Sequence, residues 1–300
     1  MSDWVVALEG TAAGEQVALI LALIAAMLHA VFGALQKGQH DPWLSRGAID
    51  FSLVVISAPV ALFLVPWPEG QIWLLLLGAM GIHFAYKLGQ ALAYSRGAYT
   101  VVYPVVRGTG PLFTVFGAWI IFGEHFAPLQ WVGVAVLVSG ILGLAVYNMR
   151  NIETGRDTLV PALWLAVGTG ALVALYTTYD AYGIRATPNP FTFLMWFFFL
   201  SSLDFPILAA LRWKNMTYRP ALKPLFLKGL IGAFVAWGSF GAVMLATRLG
   251  KVGEAAVMRE TSPVFAALIG WLILREPVGP RRVALIGLIA AGAVIVEVAG

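Results

Sequence analysis

Residues 107–128 read RGTGPLFTVFGAWIIFGEHFAP, and residues 259–280 read RETSPVFAALIGWLILREPVGP. The two stretches lie 152 residues apart and align without a gap. Agreement at rare residue types, such as tryptophan and arginine, indicates an internal duplication. Extended on both sides, the same shift gives identical pairs over 45 positions that include these nine: Arg96 with Arg248, Arg107 with Arg259, Thr109 with Thr261, Pro111 with Pro263, Phe113 with Phe265, Trp119 with Trp271, Glu124 with Glu276, Pro128 with Pro280, and Gly140 with Gly292.

The composition indicates a membrane protein. Hydrophobic residues make up 60% of the 300-residue chain and charged residues only 11%, whereas a soluble domain carries about 25% charge. The absence of cysteine excludes thiol catalysis and cysteine-ligated metal. The net charge of +4 is better explained by basic residues that anchor cytoplasmic loops than by nucleic-acid binding.

Apolar stretches long enough to cross a bilayer core of about 30 Å predict an all-α protein of ten transmembrane helices. Five spans fall in residues 1–150 and five in 151–300, and because five is odd, the second repeat enters the membrane with inverted topology. Such pairs are typical of secondary transporters with a central cavity between the repeats; the alternative is a duplicated scaffold without a transport role. The predicted spans are 16–37, 46–65, 71–95, 99–122, 129–147, 159–184, 191–211, 222–247, 254–274 and 281–298.

The loops predict the orientation. Those after the odd-numbered spans hold thirteen lysines and arginines, whereas the opposite face holds only Arg185, Arg248 and Lys251. Because lysine and arginine favour the cytoplasmic side, both termini are expected outside. The first fifteen residues have no basic segment and do not resemble a cleavable signal peptide.

The duplicated motif, followed in each half by a glycine-rich last span, resembles the drug/metabolite transporter superfamily in its ten-span bacterial EamA form. Within it, the aromatic-rich third, fourth and sixth spans are most similar to bacterial aromatic amino-acid exporters. The resemblance implies a monomer in the bacterial inner membrane that exports amino acids or related metabolites without a cofactor. The small multidrug members carry a glutamate in their first helix, and span one here has no carboxylate between Gln16 and Lys37. This difference argues against proton-coupled export of drug cations.

Ionisable groups inside a membrane are costly and therefore mark candidate functional positions. In span three, His83, Lys87, Gln90 and Tyr94 follow helical spacing, and Tyr86 lies beside them. A polar stripe of this length is expected to line the cavity and bind substrate; the alternative is hydrogen bonding to a neighbouring helix.

Spans four and nine contribute a second set of candidates. Tyr99 and Tyr103 are expected to contact substrate, and the nearby Pro104 to bend span four more than span nine as a gate. A guanidinium can bind a carboxylate with two hydrogen bonds, but a structural salt bridge or snorkelling is an equally good explanation for the arginines. The candidates for a gating or structural charge are Arg107, Arg259 and Glu260.

Spans six and eight complete the candidate site. Aromatic walls with a few convergent polar groups suit an amphipathic solute, although tyrosines near helix ends also occur in interfacial belts. The predicted substrate contacts here are Trp164, Tyr176, Tyr179, Asp180 and Trp237.

The residues and the family resemblance together favour a secondary exporter of amino acids, aromatic and other neutral ones, or of similar amphipathic metabolites. Sugar phosphates, nucleotide sugars or drugs are the alternative substrates, although phosphate groups would favour more basic residues than the cavity offers. No hydrolase, metalloprotease or other metal motif supports an intramembrane enzyme, and no filter-like repeat supports a channel. We therefore expect a small-molecule substrate, a lipid environment, no metal and no nucleic-acid partner.

Overall fold

The computed structural model describes residues 2–36, 41–97, 99–150, 159–217, 219–272 and 279–300. These residues form helices and no strands, which confirms the predicted all-α class for the described ranges. The helices are α1 (Asp3–Leu8), α2 (Ala12–Gln36), α3 (Pro42–Phe63), α4 (Gln71–Arg96), α5 (Tyr99–Phe122), α6 (Pro128–Arg150), α7 (Leu159–Ala186), α8 (Pro190–Ser201), α9 (Asp204–Lys214), α10 (Leu222–Leu249), α11 (Val252–Arg259), α12 (Ser262–Leu272) and α13 (Pro280–Val298).

Eight helical stretches among the described residues are long and apolar enough to cross a membrane, with α8 and α9 together forming one of them. The chain is therefore a multi-pass membrane protein. The two remaining predicted spans are 254–274 and 281–298. The first corresponds to α11 and α12, which are individually short, and the second to α13, which carries Arg281, Arg282 and Glu297. The ten-span count and the inverted topology stay predictions.

Two predicted spans are interrupted in the structure. The span 191–211 ends one helix at Ser201 and starts the next at Asp204, and the span 254–274 is interrupted at Glu260 and Thr261. By contrast, α5 continues through Pro104 and Pro111. The second-half counterpart of Pro111 is Pro263, which occupies the first turn of α12, where a missing backbone N–H leaves no hydrogen bond unmade.

The bundle has two distinct ends. The end with Arg46, Arg96 and Arg212 is called here the basic end, and the opposite end, which holds α1 and the final turns of α7 and α10, is called the α1 end. Between them, α4 packs on α7 and α10 packs on α2. These contacts surround the middle of the bundle with helices from both halves of the chain.

Glycines allow a close contact between α6 and α13. A Cβ on Gly133 would lie 2.8 Å from the carbonyl oxygen of Gly292, so a larger residue would force the two helices apart. This contact joins the last predicted spans of the two halves.

Candidate functional site

A cavity of about 100 Å³ lies between the two halves and extends toward the basic end. Helices α2, α3, α4, α5, α7, α8, α10 and α11 contribute lining residues. Arg46, one turn from the start of α3, is the lining residue nearest the basic end. Of the predicted site residues, the cavity is lined by His83, Tyr86, Lys87, Arg107, Tyr176 and Arg259.

Two arginines at this cavity share one carboxylate. Arg107 Nε lies 2.8 Å from Glu260 Oε2, and Arg259 Nε lies 3.6 Å from Glu260 Oε1. All three residues are at most 5% exposed. Because the two guanidinium groups outnumber the carboxylate, this cluster carries one net positive charge away from water, where an unpaired charge is costly.

The geometry leaves donors of this cluster available. Arg107 Nη2 is buried without a hydrogen-bond partner among the described residues, whereas Arg107 Nε stays paired in charge with Glu260 Oε2 at 2.8 Å. Arg259 Nε is buried and unsatisfied in the same way. Buried donors are normally satisfied, so these positions suit an anionic ligand that accepts hydrogen bonds.

His83 and Asp180 form a second buried pair, which joins α4 to α7. His83 Nε2 lies 2.7 Å from Asp180 Oδ2, and the other carboxylate oxygen, Oδ1, is buried with no hydrogen-bond partner in the described part of the chain. The His83 ring lies 4.5 Å from the Tyr176 ring and 4.7 Å from the Phe197 ring. The His83 imidazole therefore meets the cavity within an aromatic wall, and the Asp180 carboxylate lies behind it.

Lys87 lines the cavity, but its ammonium is fully engaged by the protein. Nζ donates to Asp50 Oδ2 at 2.9 Å, to the carbonyl oxygen of Ser201 at 2.6 Å and to Asp204 Oδ1 at 2.5 Å. The interruption between α8 and α9 supplies two of these acceptors, because it ends one helix in a carbonyl and starts the next with an aspartate. An ammonium has three donors, so none is left for a substrate.

Several predicted residues lie behind the cavity wall. Tyr103 stacks on His29 at 6.4 Å, with the Arg107 guanidinium 6.0 Å from its ring centre. Trp237 stacks on Phe198 at 6.3 Å. These side chains support lining residues, whereas Pro104 is half-buried within α5.

Other predicted residues are not brought to the cavity. Trp164 is 73% exposed on the outside of α7 and does not line the cavity, a location that suits a lipid-facing side chain. Gln90 donates to the hydroxyls of Tyr86 and Tyr94 at 2.8 and 3.3 Å. These three residues of the predicted polar stripe are therefore hydrogen-bonded to one another within α4. Tyr179 packs against Gly78 of α4. The side chain of Tyr99 lies outside the described residues.

The predictions omitted part of the aromatic wall. Phe197 and Phe198 of α8 and Phe240 of α10 line the cavity, and Phe197 stacks on Phe240 at 5.4 Å. The run Phe197-Phe-Phe199 was a visible signal, but an all-apolar helix has no polar face to indicate which side meets a cavity. Within the described residues, no group of three His, Asp or Glu side chains is placed to hold a metal.

Comparison with known proteins agrees with a transporter fold. Residues 160–298, from the second residue of α7 to the end of α13, match the model of the EamA-like transporter family. A solved structure described as "Crystal structure of protein" superposes with a TM-score of 0.74 at 18% sequence identity, over 94% of this chain and 96% of that chain. At that identity the likeness shows the fold alone. No curated protein matches the sequence.

Proposed function

We propose that the whole chain is an EamA-type secondary transporter that exports small amphipathic carboxylates, chiefly neutral aromatic amino acids, by alternating access. The observation that carries this proposal is the net positive charge of Arg107, Arg259 and Glu260 beside an aromatic wall. A guanidinium pair with unsatisfied donors matches a substrate carboxylate, and the rings match an apolar side chain.

The second buried pair suits the other end of an amino acid. The His83 ring and the Arg259 guanidinium both lie within 6.0 Å of the Tyr176 ring centre. An ammonium group beside Asp180 Oδ1 would gain a hydrogen bond that this buried oxygen lacks. Asp180 lies behind His83 rather than in the cavity lining, so a substrate ammonium would reach its carboxylate only after the wall at His83 moves.

Phosphate-bearing substrates fit these residues less well. A phosphate monoester carries about −1.5 to −2 charge near neutral pH, while the arginine cluster supplies one net positive charge. Lys87 cannot add to it, because Asp50 and Asp204 already neutralise its ammonium and the guanidinium of Arg46. We therefore place sugar phosphates and nucleotide sugars second.

The proposed mechanism rests on two repeats of opposite topology. A shift of 152 residues moves the bounds of α4 onto those of α10 within one residue, and moves α5 onto the interrupted pair α11 and α12. In such transporters each half can adopt the shape of the other around a fixed site. The cavity is smaller than the roughly 300–1,000 Å³ of typical ligand sites, so its walls must separate to admit an aromatic amino acid.

Reconstitution tests this function. Purified protein in liposomes should exchange labelled amino acids, with aromatic ones fastest, and should not exchange sugar phosphates or cationic drugs. Arg259→Gln should abolish amino-acid exchange, whereas Arg150→Gln, which removes an exposed arginine at the end of α6, should leave it unchanged. Selective exchange of sugar phosphates would replace the proposal with its alternative.

A further inference from the structure

Two arginines tie the ends of α7 and α10 to each other at the α1 end. Arg248, in the last turn of α10, donates Nη1 to the carbonyl oxygens of Ile184 and Thr187, the latter at 2.6 Å. Both acceptors lie at the end of α7. The last carbonyls of a helix have no partner within the helix, so an arginine from elsewhere can satisfy them.

The tie is reciprocal. Arg185, in the last turn of α7, donates Nε to the carbonyl oxygen of Thr247 at 2.8 Å and Nη2 to that of Gly250 at 2.7 Å. These acceptors lie at the end of α10. Each helix therefore supplies the cation that stabilises the negative end of the other helix dipole.

Two glutamates extend this arrangement to neighbouring elements. Glu9, which follows α1, accepts from Arg248 Nε at 2.6 Å. Glu124, which follows α5, accepts from the backbone amides of Val252 and Gly253 at 2.8 and 2.9 Å at the start of α11. The cavity extends toward the opposite end, so these bonds hold the α1 end together where the cavity does not open.

We infer that Arg185, Arg248, Glu9 and Glu124 form a latch that closes the α1 end during transport, and that Arg96 provides the counterpart latch at the basic end. The inference rests on the two-repeat transport mechanism proposed above. It identifies the groups that must separate before the cavity can open on the α1 side.

Arg96 occupies the position that corresponds to Arg248 under the shift of 152 residues. The same shift places the acceptors Ile184 and Thr187 on Phe32 and Leu35, in the last turns of α2. In this structure Arg96 is exposed and makes no hydrogen bond or ion pair with the other described residues. One latch is therefore closed while its counterpart is open, and transport exchanges the two when Arg96 reaches the terminal carbonyls of α2.

The absence of cysteine permits a direct test with a single reporter. Val243→Cys places a thiol in the cavity wall, and an impermeant maleimide is added to vesicles of each orientation. With all arginines present, labelling should come chiefly from the basic end. Arg248→Gln should raise the labelling rate from the α1 end about tenfold or more. The loss of one hydrogen bond to a charged group shifts the equilibrium between the closed and open states by about that factor.

Two companion variants separate the latch from a general loosening of the bundle. Arg96→Gln should lower labelling from the α1 end, because the alternative state loses its own latch. Arg150→Gln, an exposed arginine in the last turn of α6, should change neither rate. If Arg248→Gln does not fold, Glu9→Gln and Arg248→Lys give the same test with a smaller expected rise of a few-fold.

Unchanged labelling from the α1 end in folded latch variants would overturn the inference. Equal effects of Arg96→Gln and Arg248→Gln would overturn the assignment of Arg96. Labelling needs no substrate, so the latch could be upheld even if reconstituted protein failed to move amino acids, and that failure would count against the proposed function alone.

Discussion

A variant of Lys87 distinguishes a structural role from substrate binding, because the two roles predict different effects on stability and on substrate affinity. The residue is 3% exposed, and its ammonium contacts Asp50, Asp204 and the carbonyl of Ser201. We expect Lys87→Met, which preserves much of the side-chain volume, to destabilise the protein and to leave substrate affinity nearly unchanged.

The structure sets the size of this effect. Asp50 keeps a cation, because Arg46 Nε lies 2.9 Å from its Oδ1. Asp204 loses the cation that it contacts, and removing one partner of a buried ion pair costs about 3–5 kcal/mol. Adding Asp204→Asn to Lys87→Met removes the stranded charge, so the double variant should recover about 1–3 kcal/mol.

Denaturant unfolding of the purified protein in detergent measures the free energies, and exchange in liposomes measures KM. We expect KM to stay within about twofold for any Lys87 variant that remains folded, such as the double variant. Arg259→Gln serves as the contrasting variant, with a large loss of exchange. A Lys87→Met protein with native stability and a KM raised tenfold would show that Lys87 binds substrate and would refute this assignment.

Further variants test other parts of the site. Tyr176→Ala should raise KM for aromatic amino acids at least tenfold, whereas Trp164→Ala should leave KM unchanged because that ring is exposed on the outside of α7; equal effects in flux assays would remove Tyr176 from the site. Pro104→Ala should slow exchange with little change in affinity, since it replaces the proline that leaves one backbone hydrogen bond of α5 unmade; an unchanged rate would move the gate elsewhere. A cysteine at Asn215, an exposed position beside α9, should resist impermeant maleimide in intact cells, and rapid labelling would reverse the predicted orientation.

The sequence predicted the helices well because apolar length and proline punctuation are local signals. Eight of the predicted spans coincide with helical stretches of sufficient length and hydropathy. The interruption at Ser202 and Leu203 was not predicted, although Pro206 in the first turn of α9 was a visible signal for a helix start. The contact that uses the interruption, from Lys87 to the carbonyl of Ser201, lies far away in sequence and could not be predicted.

The site was predicted less completely, because its chemistry depends on contacts distant in sequence. Helical spacing put His83, Tyr86 and Lys87 on one face of a helix, and all three line the cavity in the structure; their contact with substrate stays a prediction. It could not show that Asp50 and Asp204, 37 and 117 residues from Lys87, neutralise that ammonium. It also could not tell the exposed Trp164 from the buried Tyr176, because aromatic residues occur on both lipid-facing and cavity-facing sides of a membrane helix.

The proposed function depends on the arginine cluster of Arg107 and Arg259 binding a substrate carboxylate. The most direct measurement compares exchange of phenylalanine with exchange of phenylalanine amide, which keeps the ring and the amino group but lacks the negative charge. We expect rapid exchange of phenylalanine, at least tenfold slower exchange of the amide, and loss of this preference in Arg259→Gln. Equal exchange of the two compounds, or a preference for the amide, would contradict it.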